Sequence, residues 1–239
     1  HVAGVQLTAR DAGGVWTLNG SKHIGPAGDE ADAFIVPAAA HGKVSVFLVE
    51  RAAAKVRAYP TQDGARAADL ALVDAPATLL ASDGEAPLAL AVDVGIAALC
   101  AEAVGLMERL MVITAEYMNT RKQFGVAIAS FQALRHRMAD VKMQLELARS
   151  MSYYATLKLN DEDSSRRRAL SQAKVQLGNS MRFVGQQCVQ LHGGIAVTDE
   201  YLASHIFKRL TMIEVSLGDT MHHLGEVSAR MQNTAGVFA

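Results

Sequence analysis

The stretch Arg121-Lys122-Gln123-Phe124-Gly125 sets a guanidinium, an aromatic ring and a glycine at the end of a long apolar run. Arg offers a rigid fork of donors that matches phosphate oxygens. Phe offers a face for packing on a planar ring, and Gly125 lets a ligand approach the backbone closely. Roughly 65 residues later, Gln190-Leu191-His192-Gly193-Gly194 closes a second apolar run. Its glycine pair exposes successive N–H groups of the kind that cradle a pyrophosphate. Together the two stretches read as halves of a site for an anionic, flat cofactor. Two ordinary helix ends, with basic side chains against the dipole and a glycine stop, account for the same residues. Spacing alone leaves both readings open.

Other chemistries find less support. Of the eight histidines, His222 and His223 are adjacent and point to different faces of a helix, and His136, His192 and His205 are scattered. No Cys/His spacing suits zinc, so no metal centre is expected. Cys100 and Cys188 each sit in an apolar helical pattern and read as buried thiols, which fits a reducing cytoplasm. No glycine-rich phosphate loop, nucleophile elbow or dinucleotide fingerprint is present. The run Arg166-Arg167-Arg168 opens a helix, where the dipole disfavours it, and reads as a solvated face or a contact for an anionic partner. A net charge of −1 argues against nucleic acid. No apolar run reaches about 18 residues without polar interruption and no basic leader precedes one, so neither a membrane span nor a signal peptide is expected. The chain opens on His1 rather than Met, which suggests a piece of a longer protein.

The elements that must position these residues fall into two textures. Residues 1–86 read as a β domain. Val15–Leu18 leads into Asn19-Gly20, a tight-turn signal, and Phe34–Val36, Val44–Val49 and Leu70–Val73 are short β-rich runs. Such spacing suggests a small antiparallel barrel or sandwich. The segments around Ala38–Gly42 and Ala52–Lys55 look abruptly short. Residues 87–239 read as helical, opening at a turn cluster with Pro87 suited to a first helical turn. A helix apolar on most sides runs to Thr120. A second, from near Ser130, carries Phe131, Leu134, Met138, Val141, Leu145 and Ala148 on one stripe. A third, about 166–191, carries Ala173, Leu177, Met181, Val184, Cys188 and Leu191, and a fourth region runs from about Asp199 to Met231 with a break near Gly218. Short connections make these an antiparallel four-helix bundle, so the fold class is α+β.

In order and spacing, these pieces resemble the acyl-CoA dehydrogenases, flavoproteins that oxidise acyl-CoA thioesters at Cα–Cβ. Trp16–Lys22 and Ala31–Phe34 are similar to the family's middle β-barrel domain. Ala101–Gly105, Arg121–Gly125, Phe131-Gln132 and Gln190–Gly194 are similar to its C-terminal bundle. The family's N-terminal helical domain has no counterpart in the sequence. The resemblance implies FAD held between subunits. Arg121, Gln123 and Phe124 would reach its diphosphate and adenine side, while Gln190, Gly193 and Gly194 support the adenosine and pyrophosphate. It further implies an acyl-CoA substrate, an electron-transfer flavoprotein or similar acceptor, and a homo- or hetero-oligomer, dimer or tetramer.

The sequence departs from the family where the proton-abstracting Glu is expected. Counted from Gln190, the usual position is Leu217, and the alternative position on the first bundle helix is about Gly95. Asp219 is the nearest substitute, although a helix start suits it to anion capping. Glu214, Asp93 and Glu102 are displaced further. His23-Ile24-Gly25-Pro26 also stands where most members have a Trp and a Thr against the flavin. The ending Leu217–Leu224 resembles small subunits of the pimeloyl-CoA dehydrogenase type and related bacterial enzymes acting on sterol side chains. The resemblance thus implies a dehydrogenase chain or subunit. A non-catalytic partner or assembly protein is the alternative, and an acyl-CoA oxidase is a third reading.

Overall fold

A computed structural model describes residues 5–232. The chain divides into two compact units, residues 1–91 and 92–239. The first unit is one six-stranded sheet built from β1 (Thr8–Ala12), β2 (Val15–Pro26), β3 (Ala33–Ala40), β4 (Lys43–Glu50), β5 (Lys55–Pro60) and β6 (Arg66–Ala81). The order is β2-β1-β3-β4-β6-β5, and a further β2–β6 pairing closes it as a barrel. Closure leaves β5, which pairs with β6 alone, as the edge strand. All pairings are antiparallel except a short parallel contact of β1 with β3. Leu18, Phe34, Val36, Phe47, Val49, Leu70 and Leu72 fill the inside at alternate positions of their strands.

One sequence expectation is corrected in this unit and another is explained. Asn19-Gly20 is not a turn, because β2 runs through it. The chain reverses earlier, at Gly13-Gly14, whose φ values of 68° and 91° suit a mirror-image hairpin turn. Asn19 instead sits at a bulge, giving its side-chain amide to the Asp74 carboxylate and accepting the Asp74 N–H, both at 2.9 Å. The segment 38–42 is short because His41-Gly42, with φ of 48° and 75°, makes a two-residue hairpin between β3 and β4.

The second unit holds the helices: α1 (Glu85–Thr120, which starts just before the unit boundary), α2 (Gln132–Leu157), α3 (Asp163–His192), α4 (Leu202–Val215) and α5 (Thr220–Gln232). Val141, Leu145 and Ala148 of α2 are fully buried, and so is the whole expected stripe of α3 from Ala173 to Leu191. They pack with Ile96, Cys100, Ala103, Met107 and Leu110 of α1 and with Ile206, Leu210 and Ile213 of α4. By length and composition alone, α1 is apolar enough to cross a membrane, but these residues place one side of it in the bundle core. Two of its acids are paired with later helices: Asp93 with Arg166 at 2.8 Å and Glu102 with Arg209 at 2.6 Å. Arg166 is thereby removed from the solvated face expected of it. Its side chain is 12% exposed, held by Asp93, by Asp163 and by the Asp161 carbonyl.

Candidate functional site

The stretch 121–127 forms a two-residue hairpin on the end of α1. β7 (Lys122–Gln123) pairs with β8 (Val126–Ala127) across Phe124-Gly125. Both turn residues have positive φ, 52° and 79°, as a mirror-image turn requires. For Phe this region is disfavoured. The hairpin is locked at its base, where Arg121 N–H donates to Tyr117 and Ile128 N–H donates to Arg121, at 2.8 and 2.9 Å. Phe124 is 92% exposed and meets only the edge of Phe131, centroids 6.1 Å apart. Arg121 and Gln123 are also exposed, and no ion pair among the described residues holds the Arg121 guanidinium.

The second stretch caps α3. Gly193 takes φ 68° and ψ −146° and gives its N–H to the Val189 carbonyl, a glycine-dependent helix stop. Gln190, Gly193 and Gly194 are exposed. No heavy atom lies within 4 Å of where a Cβ would stand on Gly125, Gly193 or Gly194. The backbone there is open to a ligand, which fits a group with phosphates and a flat ring.

Packing behind the loops brings the two stretches together. Met118 before the hairpin, Ile128 after it and Leu191 before the glycines share one small buried cluster. His192 stacks on Tyr117 with centroids 4.7 Å apart and meets the edge of Tyr201 at 5.1 Å. It donates from Nδ1 to the Cys188 carbonyl at 2.8 Å, and burial lowers its pKa. The sequence places His192 in the Gln190–Gly194 stretch but does not reveal this aromatic trio. The signal available was its place in the last apolar turn of α3. A cleft of about 310 Å³ opens beside the trio, lined by Arg109, Glu116 and Thr120 as well as the two tyrosine rings.

The expected base position lies elsewhere, on the turn between α4 and α5. Leu217 there has φ 55°. A Cβ added to Gly95 would stand 2.9 Å from Leu217 Cδ1. The two positions at which the resemblance allows a base are therefore in contact, and both are apolar. Asp219 caps α5, accepting the His222 N–H at 2.7 Å. Glu214 accepts from Thr220 N–H at 3.1 Å and from its hydroxyl at 2.7 Å. Buried Lys174 donates to the carbonyls of Ile213, Glu214 and Gly218 at 2.8, 2.8 and 2.9 Å. His223 donates from Nε2 to the Leu217 carbonyl at 3.0 Å and accepts from Ser171 Oγ at 3.3 Å. Every carboxylate near the turn is thus engaged in holding backbone or a cation.

This turn does not meet the two loops. It touches α1 at Gly95 and the loops touch α1 at Tyr117, 22 residues on; at 1.5 Å per residue that is about 33 Å. Among the described residues no group of His, Cys, Asp and Glu could hold a metal.

The family model described as the C-terminal domain of acyl-CoA dehydrogenase matches residues 90–232, more than half of the chain. The chain belongs to the acyl-CoA dehydrogenase family. Acyl-CoA dehydrogenase IpdE2 of Mycolicibacterium smegmatis is 32% identical over 172 residues, covering 72% of this chain and 51% of that protein. A solved variant of the Tcur3481-Tcur3483 steroid ACAD superposes with a TM-score of 0.86 at 28% identity, over 96% of this chain and 63% of that one. The ChsE4-ChsE5 complex from Mycobacterium tuberculosis gives 0.85 at 25%, over 95% and 62%. The chain spans about half the length of the curated relatives it matches. Over the part that superposes it has the acyl-CoA dehydrogenase fold, with a closed β sheet and several helices.

Proposed function

We propose that this chain is a subunit of an FAD-dependent acyl-CoA dehydrogenase that grips the nucleotide side of a flavin and relies on a second, homologous subunit for the base. One observation carries the reading: the loops and the base position meet α1 about 33 Å apart, and the base position is filled by Leu217 against Gly95. A flavin held by the loops is too far from this chain's own base turn to be served by it. The ChsE4-ChsE5 relative is itself a complex of two named components.

Arg121 would pair with the diphosphate, and Gln123 with Phe124 would flank the adenine side. Gln190 and the open N–H groups of Gly193 and Gly194 would support the pyrophosphate and adenosine. Bound FAD supplies a two-electron acceptor for the hydride leaving Cβ. No carboxylate of this chain is free at 217 or 95 to take the Cα proton, so the base is assigned to the partner. The substrate is an acyl-CoA thioester, electrons pass to an electron-transfer flavoprotein or similar acceptor, and two buried, unpaired thiols support a cytoplasmic setting.

Dialysis against FAD tests this, using the purified chain alone and mixed with a homologous subunit bearing Glu at the position of Leu217. The mixture should hold flavin, and Arg121→Ala should weaken it about tenfold or more, the worth of a charged hydrogen bond, without shifting the melting midpoint. Flavin retention indifferent to Arg121 would overturn the assignment of the loops.

A further inference from the structure

A second cluster of reactive groups lies in the β unit, on the strand whose His23–Pro26 segment the resemblance sets against the flavin. Ser21 and His23 are two apart on β2, and Asp69 lies on the neighbouring strand β6. Ser21 Oγ and His23 Nε2 are 3.1 Å apart, and His23 Nδ1 is 3.4 Å from Asp69 Oδ1. With Nδ1 turned toward an ionised carboxylate, the tautomer protonated on Nδ1 is the one that leaves Nε2 to accept from the serine hydroxyl. Asp69 is kept ionised and in place. Arg57 donates to it at 2.6 Å, Tyr59 at 2.9 Å and the Ile24 N–H at 3.2 Å, and the Arg57 and Tyr59 bonds hold its carboxyl well below the usual range. Asp69 also anchors a strained residue, for Ile24 sits at φ 57°, which a β-branched side chain resists.

The sheet register supplies a cation on the same face. Ser21 stands opposite Ala71 on β6, and Ala71 stands opposite Lys55 on β5. Directly opposed residues share a face. Two strand spacings put the Lys55 and Ser21 backbones about 10 Å apart, within the combined reach of the lysine side chain and a bound acyl group. Its ammonium can stabilise an oxyanion.

We propose that Ser21, His23 and Asp69 form a nucleophilic site for acyl esters or thioesters. Ser21 Oγ bonds to the acyl carbon while its proton passes to His23 Nε2. The bond to the leaving oxygen or sulfur breaks, and that atom takes the proton from Nε2. Water then attacks the acyl-serine, giving its proton to Nε2. The acyl–Oγ bond breaks, the carboxylic acid departs and Ser21 regains its proton. Ester plus water gives acid plus alcohol or thiol, with no oxidant required. Asp69 and Lys55 hold charge, and neither forms a bond to the substrate.

The purified full chain, without added flavin, should hydrolyse p-nitrophenyl butyrate and take up a fluorophosphonate probe, with the label found by peptide mass spectrometry on Ser21. Ser21→Ala should abolish the label. His23→Gln should slow both reactions by about 10²-fold or more, with an unchanged circular dichroism melt showing that the barrel remains folded. No label on Ser21, or hydrolysis by Ser21→Ala at the unaltered rate, overturns the proposal. Both readouts are taken without flavin, because the resemblance sets a flavin along His23–Pro26 of the same strand, whereas the flavin assignment is tested at Arg121.

Discussion

Leu217 holds a left-handed backbone conformation, which costs a non-glycine residue about 1–2 kcal/mol, yet the carbonyls of Ile213, Glu214, Leu217 and Gly218 around it all accept hydrogen bonds. Lys174 supplies the largest part of that support. Its Nζ has three protons and three carbonyl partners while the residue is 1% exposed, so a methionine in its place leaves three acceptors without a donor. Lys174→Met should cost about 3 kcal/mol or more in urea unfolding, at the scale of buried polar groups stripped of partners. Asp219 separates capping from catalysis. Asp219→Ala should lower stability by about 1 kcal/mol, whereas Asn caps as well as Asp and Asp219→Asn should change stability by less than about 0.5 kcal/mol. If Asp219 were instead a base, Asp219→Asn would abolish flavin reduction in the assembled enzyme while leaving the fold intact, a result that stopped-flow absorbance would detect.

Among the elements, α3 carries the most structure, because it packs with α2, α4 and α5 and ends at the glycine loop. Two buried histidines tie its ends to its neighbours: His192 to α1 and His223 of α5 to Ser171. Burial depresses both pKa values below 6.5, and for His223 the nearby Lys174 and His222 charges add to this. Since the unfolded chain binds these protons more readily, the stabilisation is complete above pH 6.5 and is lost as pH falls from there through the folded values. Chemical denaturation from pH 7.5 to 5 should show stability falling below about pH 6.5, at up to about 1.4 kcal/mol per pH unit for each histidine. His192→Gln should flatten the slope. The helices were legible because the three-four spacing of Val141–Ala148 and Ala173–Leu191 is set by which face is buried, a local property of sequence. Asn19-Gly20 misled because its outcome depended on Asp74, 55 residues away. Arg166 misled for the same reason, its partner Asp93 lying 73 residues distant. The loop residues could be proposed from type and spacing, but their shared packing through His192 and Leu191 could not, since it is made by tertiary contact.

As a whole molecule, this chain is proposed to hold a flavin's nucleotide side without a base of its own. The measurement that tests it most directly is an anaerobic titration of the purified chain, loaded with FAD, by a panel of acyl-CoAs while the visible flavin band is followed. The band should persist with this chain alone and bleach once a homologous subunit carrying the missing Glu is added. Bleaching by this chain alone would contradict it, and would mean that a carboxylate such as Asp219 leaves its cap to act.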